Sequence, residues 1–150
     1  MIEINIRPAL PSDFVDIQSC AQSAYAKYVE RMGREPAPMH ADFATQIAHG
    51  WVVVAVCEAG LAGYIVFYFK NDHAHIENVA VSPEFSGHGI GKRLLEHAER
   101  AAQDVGCVAV ELYTNEAMTE NLAMYPKLGY IEVERRREDG FSRVFFRKQV

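Results

Sequence analysis

The sequence predicts a mixed α/β fold, a sheet with helices on its faces. Three observations predict it. The apolar spacing switches between periods of two and 3.6 along the chain, giving the order β-α-α-β-β-β-α-β-α-β-β. The stripe Ile90, Leu94, Leu95, Ala98, Ala101, Ala102 and Val105 recurs at helical spacing directly after a glycine-rich turn. Asp139-Gly140 divides two β-rich segments, as a tight hairpin turn does.

Each element has its own warrant. Ile2 to Ile6 alternates with polar residues and reads as a strand. Ser12 can cap the helix that follows, with acids at Asp13 and Asp16 in its first turn. Phe14, Ile17, Ala21, Ala24, Tyr25 and Tyr28 share one face of that helix. Gly33, Pro36 and Pro38 turn residues 32–39 into a loop, and a second helix is expected from Ala41 to His49. Trp51 to Cys57 and Tyr64 to Phe69 flank the turn at Glu58-Ala59-Gly60 as a hairpin, and Ala74 to Val81 is a further strand. Gly106 stops the long helix, and Cys107 to Tyr113 is the next strand. A shorter helix covers about Thr119 to Leu128 and closes at Gly129. Tyr130 to Arg137 and Phe141 to Lys148 form the last hairpin.

The 150 residues suit one domain over 1–150, and 49% hydrophobic with 23% charged is an ordinary globular balance. A net charge of -5 gives no electrostatic footprint for nucleic acid. Cys20, Cys57 and Cys107 match no metal spacing, and the six histidines form no zinc pattern, so no metal is expected. No apolar run reaches the length of a membrane span, and the start Met-Ile-Glu-Ile is no signal peptide. The expected location is the cytoplasm, with no membrane partner.

The stretch from Val79 to Leu95 carries most of the chemistry. A strand runs into a turn with Gly87, Gly89 and Gly91, and the turn opens the long helix. Main-chain N–H groups there can converge on an anion, helped by the positive end of the helix dipole. A P-loop is excluded, because Arg93 follows Lys92 where Ser or Thr is required. A dinucleotide fingerprint is excluded, because Lys92 stands where its third glycine belongs. Coenzyme A is the third anion-binding reading, and packing at the helix entrance is the alternative for the glycines.

Residues 86–91 resemble the acetyl-CoA motif of the GNAT superfamily of N-acetyltransferases, Gln/Arg-x-x-Gly-x-Gly/Ala, with Gly89 and Gly91 in place and Ser86 departing from it. The segment Asn121 to Tyr130, with Tyr125, Lys127, Leu128 and Gly129, is similar to the family's Tyr-x-Lys-Leu-Gly-Phe/Tyr signature. The resemblance implies a GNAT fold: a mixed, mostly antiparallel central sheet of about seven strands flanked by about four helices. It implies acetyl-CoA as co-substrate and direct transfer of the acetyl group to an amine. It assigns Val79, Ala80 and Val81 to the pantetheine arm. It assigns the amides of Gly87, His88, Gly89, Ile90, Gly91 and Lys92 to the pyrophosphate, with the Lys92 side chain adding charge or simply facing solvent.

An amine that arrives protonated needs a base, and the leaving thiolate benefits from an acid. Tyr125 is the candidate acid through the family signature; its alternative is a core aromatic, and Pro126 is expected to bend the helix and re-aim the Tyr125 phenol. Glu111 and Glu77 compete for base, against a solvated strand end or a relay through water. His75 neighbours Glu77 and reads first as a satisfied surface histidine. Asn121 lies one turn before Tyr125 and either bonds a pantetheine amide or is exposed.

Residues near Tyr25, Tyr28, Arg31 and 32–39 occupy the family's variable acceptor wall, where Arg34 and Glu35 recognise a charged acceptor or pair with each other. The acceptor is expected to be a small-molecule amine, or else a peptide or protein amine. The alternatives are a non-catalytic acyl-CoA sensor and an interaction module. Phe141, Val144, Phe145 and Phe146 suggest a homodimer contact on the last hairpin.

Overall fold

The computed structural model describes residues 2–150. Strand β1 (Asn5–Pro8) leads to α1 (Phe14–Met32) and α2 (Phe43–Ala48); β2 (Val52–Cys57), β3 (Gly60–Lys70) and β4 (His73–Val81) follow. Then come α3 (Ile90–Asp104), β5 (Ala109–Asn115), α4 (Thr119–Lys127), β6 (Ile131–Glu138) and β7 (Phe141–Gln149). The element order is the expected one. The seven strands form a sheet in the order β1-β2-β3-β4-β5-β7-β6. The β4–β5 pair is parallel, from His73 opposite Ala109 to Ile76 opposite Leu112. The β1–β2, β2–β3, β5–β7 and β6–β7 pairs are antiparallel.

Hydrogen bonding moves several element ends. β1 begins at Asn5, not Ile2, where pairing with Val56 starts. β3 begins at Gly60, because Cys57 pairs with Gly60 across a two-residue loop. β5 begins at Ala109, because the Cys107 N–H turns back to the Ala102 carbonyl at 2.9 Å. Ser12 is not the cap of α1. A 3-10 turn at Pro11–Asp13 precedes the helix, and the Asp13 carboxylate accepts the Leu10 N–H at 2.7 Å. α1 runs on to Met32 and stops at Gly33, whose φ of +72° suits glycine and whose N–H reaches the Val29 carbonyl. α2 starts later than Ala41 because Asp42 caps it, accepting the Thr45 N–H at 3.2 Å. In the last hairpin Asp139 and Gly140 have φ of +52° and +82°, the geometry of a two-residue primed turn.

The chain divides into two compact units: Met1–Phe67 with Asn78–Glu96, and Tyr68–Glu77 with His97–Val150. In the first, the apolar face of α1 and Phe43 of α2 are buried, and Phe43 meets Tyr64 edge-on at 5.4 Å. Gly63 is forced by a close approach: a Cβ there would lie 2.7 Å from the Ala80 carbonyl oxygen. In the second, Tyr125, Tyr130 and Phe146 form an aromatic cluster with centroids 5.7 and 5.6 Å from the Tyr125 ring. Val144 and Phe146 are buried in this core, so they cannot furnish the apolar dimer contact expected of the hairpin; strand alternation turns them inward. Arg136 covers the Phe145 ring at 4.2 Å. Among the described residues, no helix is long and apolar enough to cross a membrane.

Candidate active site

The glycine-rich turn lies in the first unit. After β4, Ser82 donates its N–H to the Ala62 carbonyl at 2.8 Å, and a 3-10 turn at Pro83–Phe85 redirects the chain. Ser86, which stands where the family has Gln or Arg, spends its hydroxyl on the Pro83 carbonyl at 2.9 Å. Gly87 and Gly89 then adopt φ of +83° and +73°, and α3 begins at Ile90. The helix's first ladder bond runs from Arg93 N–H to the Gly89 carbonyl at 3.1 Å. The amides from Gly87 to Lys92 therefore have no main-chain acceptor among the described residues.

The three glycines differ in purpose. A Cβ on Gly87 or Gly89 would meet nothing within 4 Å, so these two are required by left-handed backbone, and the space over the turn is open. A Cβ on Gly91 would meet the Val81 side chain at 3.7 Å, an ordinary packing contact. Open space, unbonded amides and a 15-residue helix behind them suit a diphosphate. Lys92 and His88 are exposed at the rim. Arg93 turns away and donates to the Ile4 carbonyl at 3.3 Å.

The β4 segment Val79–Val81 is braced by a buried network that the sequence reading missed. The Tyr25 hydroxyl donates toward Asn78 Oδ1 at 2.7 Å and the Val79 carbonyl at 3.0 Å. Asn78 Nδ2 donates to the Tyr64 hydroxyl at 2.6 Å. Asn78 is 6% exposed and shares the buried phase of β4 with Ala74, Ile76 and Ala80. That interruption of an apolar period was the available signal. Burial pushes the Tyr64 phenol well above its ordinary range, so it remains a neutral hydrogen-bonding group.

The remaining candidates lie in the second unit. Glu77 Oε2 is 3.2 Å from His75 Nε2, and the Tyr68 hydroxyl donates to the same oxygen at 3.4 Å. The His75 bond, ahead of nearby charge, holds the Glu77 carboxyl below its usual range against the opposing effect of burial. Glu111 forms an ion pair with Arg147, has His73 Nε2 at 3.6 Å, and faces His75 in the β4–β5 register. Burial, with Glu77 adding to it, raises the Tyr113 phenol. Tyr113 also escaped the sequence reading, because its half-exposed phase in β5 resembles any solvated strand position.

Tyr125 is 4% exposed, with its ring packed on Tyr130 and Phe146. Pro126 lies inside α4, which continues to Lys127 before Gly129 ends it at φ of +96°. The proline occupies the last turn, where its missing N–H costs one ladder bond and does not divide the helix. Asn121 is half-exposed and directs Nδ2 to Thr114 Oγ1 at 3.1 Å. Among the described residues no group of His, Cys, Asp and Glu could hold a metal ion.

This fold and this turn define an acyltransferase class of architecture. The chain matches the Acetyltransferase (GNAT) family over residues 15–130, and it belongs to that family. A curated relative is the ribosomal protein bS18 alanine N-acetyltransferase of Salmonella typhimurium, 31% identical over 77 residues, covering 51% of this chain and 52% of that protein. A second is the thialysine N-epsilon-acetyltransferase of Bos taurus, 28% identical over 74 residues, covering 46% of this chain and 44% of that protein. The chain thus spans about half the length of the curated relatives it matches. In fold it is similar to the PaiA N-acetyltransferase of Thermoplasma acidophilum, solved in complex with coenzyme A, with a TM-score of 0.80, 22% identity, 99% of this chain and 100% of that one. It is equally similar to the ribosomal-protein-S18-alanine N-acetyltransferase of Escherichia coli, with a TM-score of 0.80, 20% identity, 99% of this chain and 94% of that one.

Proposed function

We propose that this chain transfers an acetyl group from acetyl-CoA directly to an amine, on a small molecule or else on a peptide or protein. The observation that carries the reading is the run of amides from Gly87 to Lys92 at the start of α3, which have no main-chain acceptor among the described residues and lie under open space. Such a cradle suits the diphosphate of coenzyme A. Val79, Ala80 and Val81 would hold the pantetheine arm by main chain, and Asn121 its amide. Acetyl-CoA supplies an activated acyl group, so no covalent enzyme intermediate is needed.

The protein's own work is to orient the amine, remove its proton and protonate the leaving sulfur. A primary amine with a pKa of roughly 10.4 is mostly charged at neutral pH and cannot attack until it is deprotonated. Glu77 and Glu111 are the carboxylates assigned to that side of the reaction, and Tyr125 is assigned to the sulfur side. Proximity supplies much of the remaining acceleration. One domain, cytoplasmic residence and self-association belong to the same proposal, and gel filtration reads the last.

The test is release of CoA from acetyl-CoA in the presence of a panel of amines spanning small polyamines, amino acids and peptides. Acceptor-dependent release supports the enzyme. CoA binding without turnover on any acceptor would assign the chain instead to a non-catalytic acyl-CoA sensor.

A further inference from the structure

We propose that Tyr25 is a positioning residue for the cofactor: its hydroxyl holds the main chain of β4 at Val79 in the form that receives the pantetheine arm. The role rests on the acetyl-transfer reading above.

The parallel β4–β5 ladder ends at Ile76 opposite Leu112, and β4 runs on to Val81. Beyond a ladder, strand main chain needs other partners to keep its carbonyls and amides in one orientation. Within the first unit, α1 supplies one. The Tyr25 hydroxyl lies 2.7 Å from Asn78 Oδ1 and 3.0 Å from the Val79 carbonyl oxygen. A phenol has a single proton, so the acceptors share it in a three-centre bond. Asn78 is fixed from its other end, because Nδ2 donates to the Tyr64 hydroxyl at 2.6 Å. The Val79 carbonyl is therefore held by a donor that is itself held. Earlier on α1, burial raises the Cys20 thiol, and hydrogen bonding to Ser82 opposes the rise. One helix thus meets both ends of residues 79–82.

The network is shielded from water. Tyr25 is 8% exposed, Asn78 6%, and Tyr64 has no exposure. So little surface gives an incoming acceptor almost nothing to touch on Tyr25, which separates it from the acceptor wall. A phenylalanine would keep the packing of the ring, including its tilted contact with Tyr28 at 6.2 Å. What the hydroxyl adds is the bond to Asn78 and Val79.

The consequence is geometric. Main-chain groups bind by direction, and a misplacement of about 1 Å can cost about 10²-fold in rate. Loss of the Tyr25 bond frees the Val79 carbonyl, and the amide in the same planar peptide unit tilts with it. The amides of Gly87 to Lys92 do not draw on this bond. The arm and the diphosphate should therefore respond separately.

Calorimetry of Tyr25→Phe with CoA, and with ADP as a probe that carries a diphosphate and no arm, tests this. Tyr64→Phe is measured in parallel, with circular dichroism on each variant. We expect Tyr25→Phe to weaken CoA about two- to tenfold, the range spanned by one net hydrogen bond, with ADP affinity unchanged. kcat/KM for acetyl-CoA should fall by at least as much, while KM for the amine stays constant. Tyr64→Phe removes a hydroxyl of the same network that is bonded to Asn78, and it should lose stability but keep the wild-type ratio of CoA to ADP affinity. Full CoA affinity in a folded Tyr25→Phe, or equal losses for CoA and ADP, overturns the proposal. So does a raised amine KM with CoA affinity intact, which would return Tyr25 to the acceptor wall. An equal fall of the ratio in Tyr64→Phe overturns it as well, because general loosening of the core would then account for both variants. Should the wild-type chain bind neither CoA nor ADP, the acetyl-transfer reading fails and takes this role with it; CoA binding that Tyr25→Phe leaves unaltered sinks the positioning role alone.

Discussion

Replacing Asn78 by alanine removes the centre of a buried network within the first unit. Asn78 is 6% exposed, accepts from Tyr25 at 2.7 Å and donates to Tyr64 at 2.6 Å. The Tyr25 hydroxyl keeps an acceptor, because the Val79 carbonyl lies 3.0 Å away. The Tyr64 hydroxyl loses its donor in a side chain with no exposure to solvent. One net hydrogen bond at about 1 kcal/mol, and up to about 2 kcal/mol for desolvating the orphaned hydroxyl, sum to about 1–3 kcal/mol. For a chain of this length that corresponds to a fall in Tm of about 2–12 °C. Urea and thermal denaturation followed by circular dichroism measure it directly. Tyr64→Phe removes the orphan, so the double variant should cost less than the sum of the single variants by at least about 0.5 kcal/mol. An Asn78→Ala variant within about 0.5 kcal/mol of wild type, or strict additivity, refutes the network.

Tyr125→Phe should lower kcat by about 10²-fold while acetyl-CoA affinity stays constant, as loss of a general acid does; steady-state kinetics with calorimetry separate the two, and an unchanged kcat removes the assignment. Asp13→Asn should destabilise the chain by about 1–2 kcal/mol at neutral pH, because Asp13 takes two bonds from Arg7 at 2.8 and 3.1 Å and one from Leu10. The Arg7 bond holds the Asp13 carboxyl below its usual range. Its stabilisation is therefore full above the ordinary carboxylate pKa and is lost as pH falls through the depressed one. Urea titrations across the acid range should show a steeper loss for wild type than for Asp13→Asn; parallel curves would contradict this.

Local signals foretold the elements well. Asp139-Gly140 is a two-residue turn because both positions need positive φ, which is a property of those residues alone. Gly33 and Gly129 end helices for the same reason. Element ends were less legible, since Gly60 joins β3 only through its partner Cys57 on β2. The turn at Gly87 to Lys92 was visible because it is built from glycine and main chain at consecutive positions, and Gly87 and Gly89 have φ of +83° and +73°. Side-chain partnerships were not visible. Tyr25 reaches Asn78 across 53 positions, and Glu111 reaches Arg147 across 36. These contacts depend on strand register and helix placement, which no local pattern encodes. The same limit applies to the last hairpin, whose Val144 and Phe146 looked available for a second copy until alternation placed them in the core.

Calorimetric titration with CoA and, separately, with pantetheine addresses the central claim most directly, because only the first carries the diphosphate. Saturable binding of CoA, at least about tenfold weaker for pantetheine and lost in Gly89→Glu through crowding and charge repulsion, is the predicted result. Equal affinity for the two ligands, or full CoA affinity in Gly89→Glu, would contradict the assignment of the Gly87 to Lys92 amides.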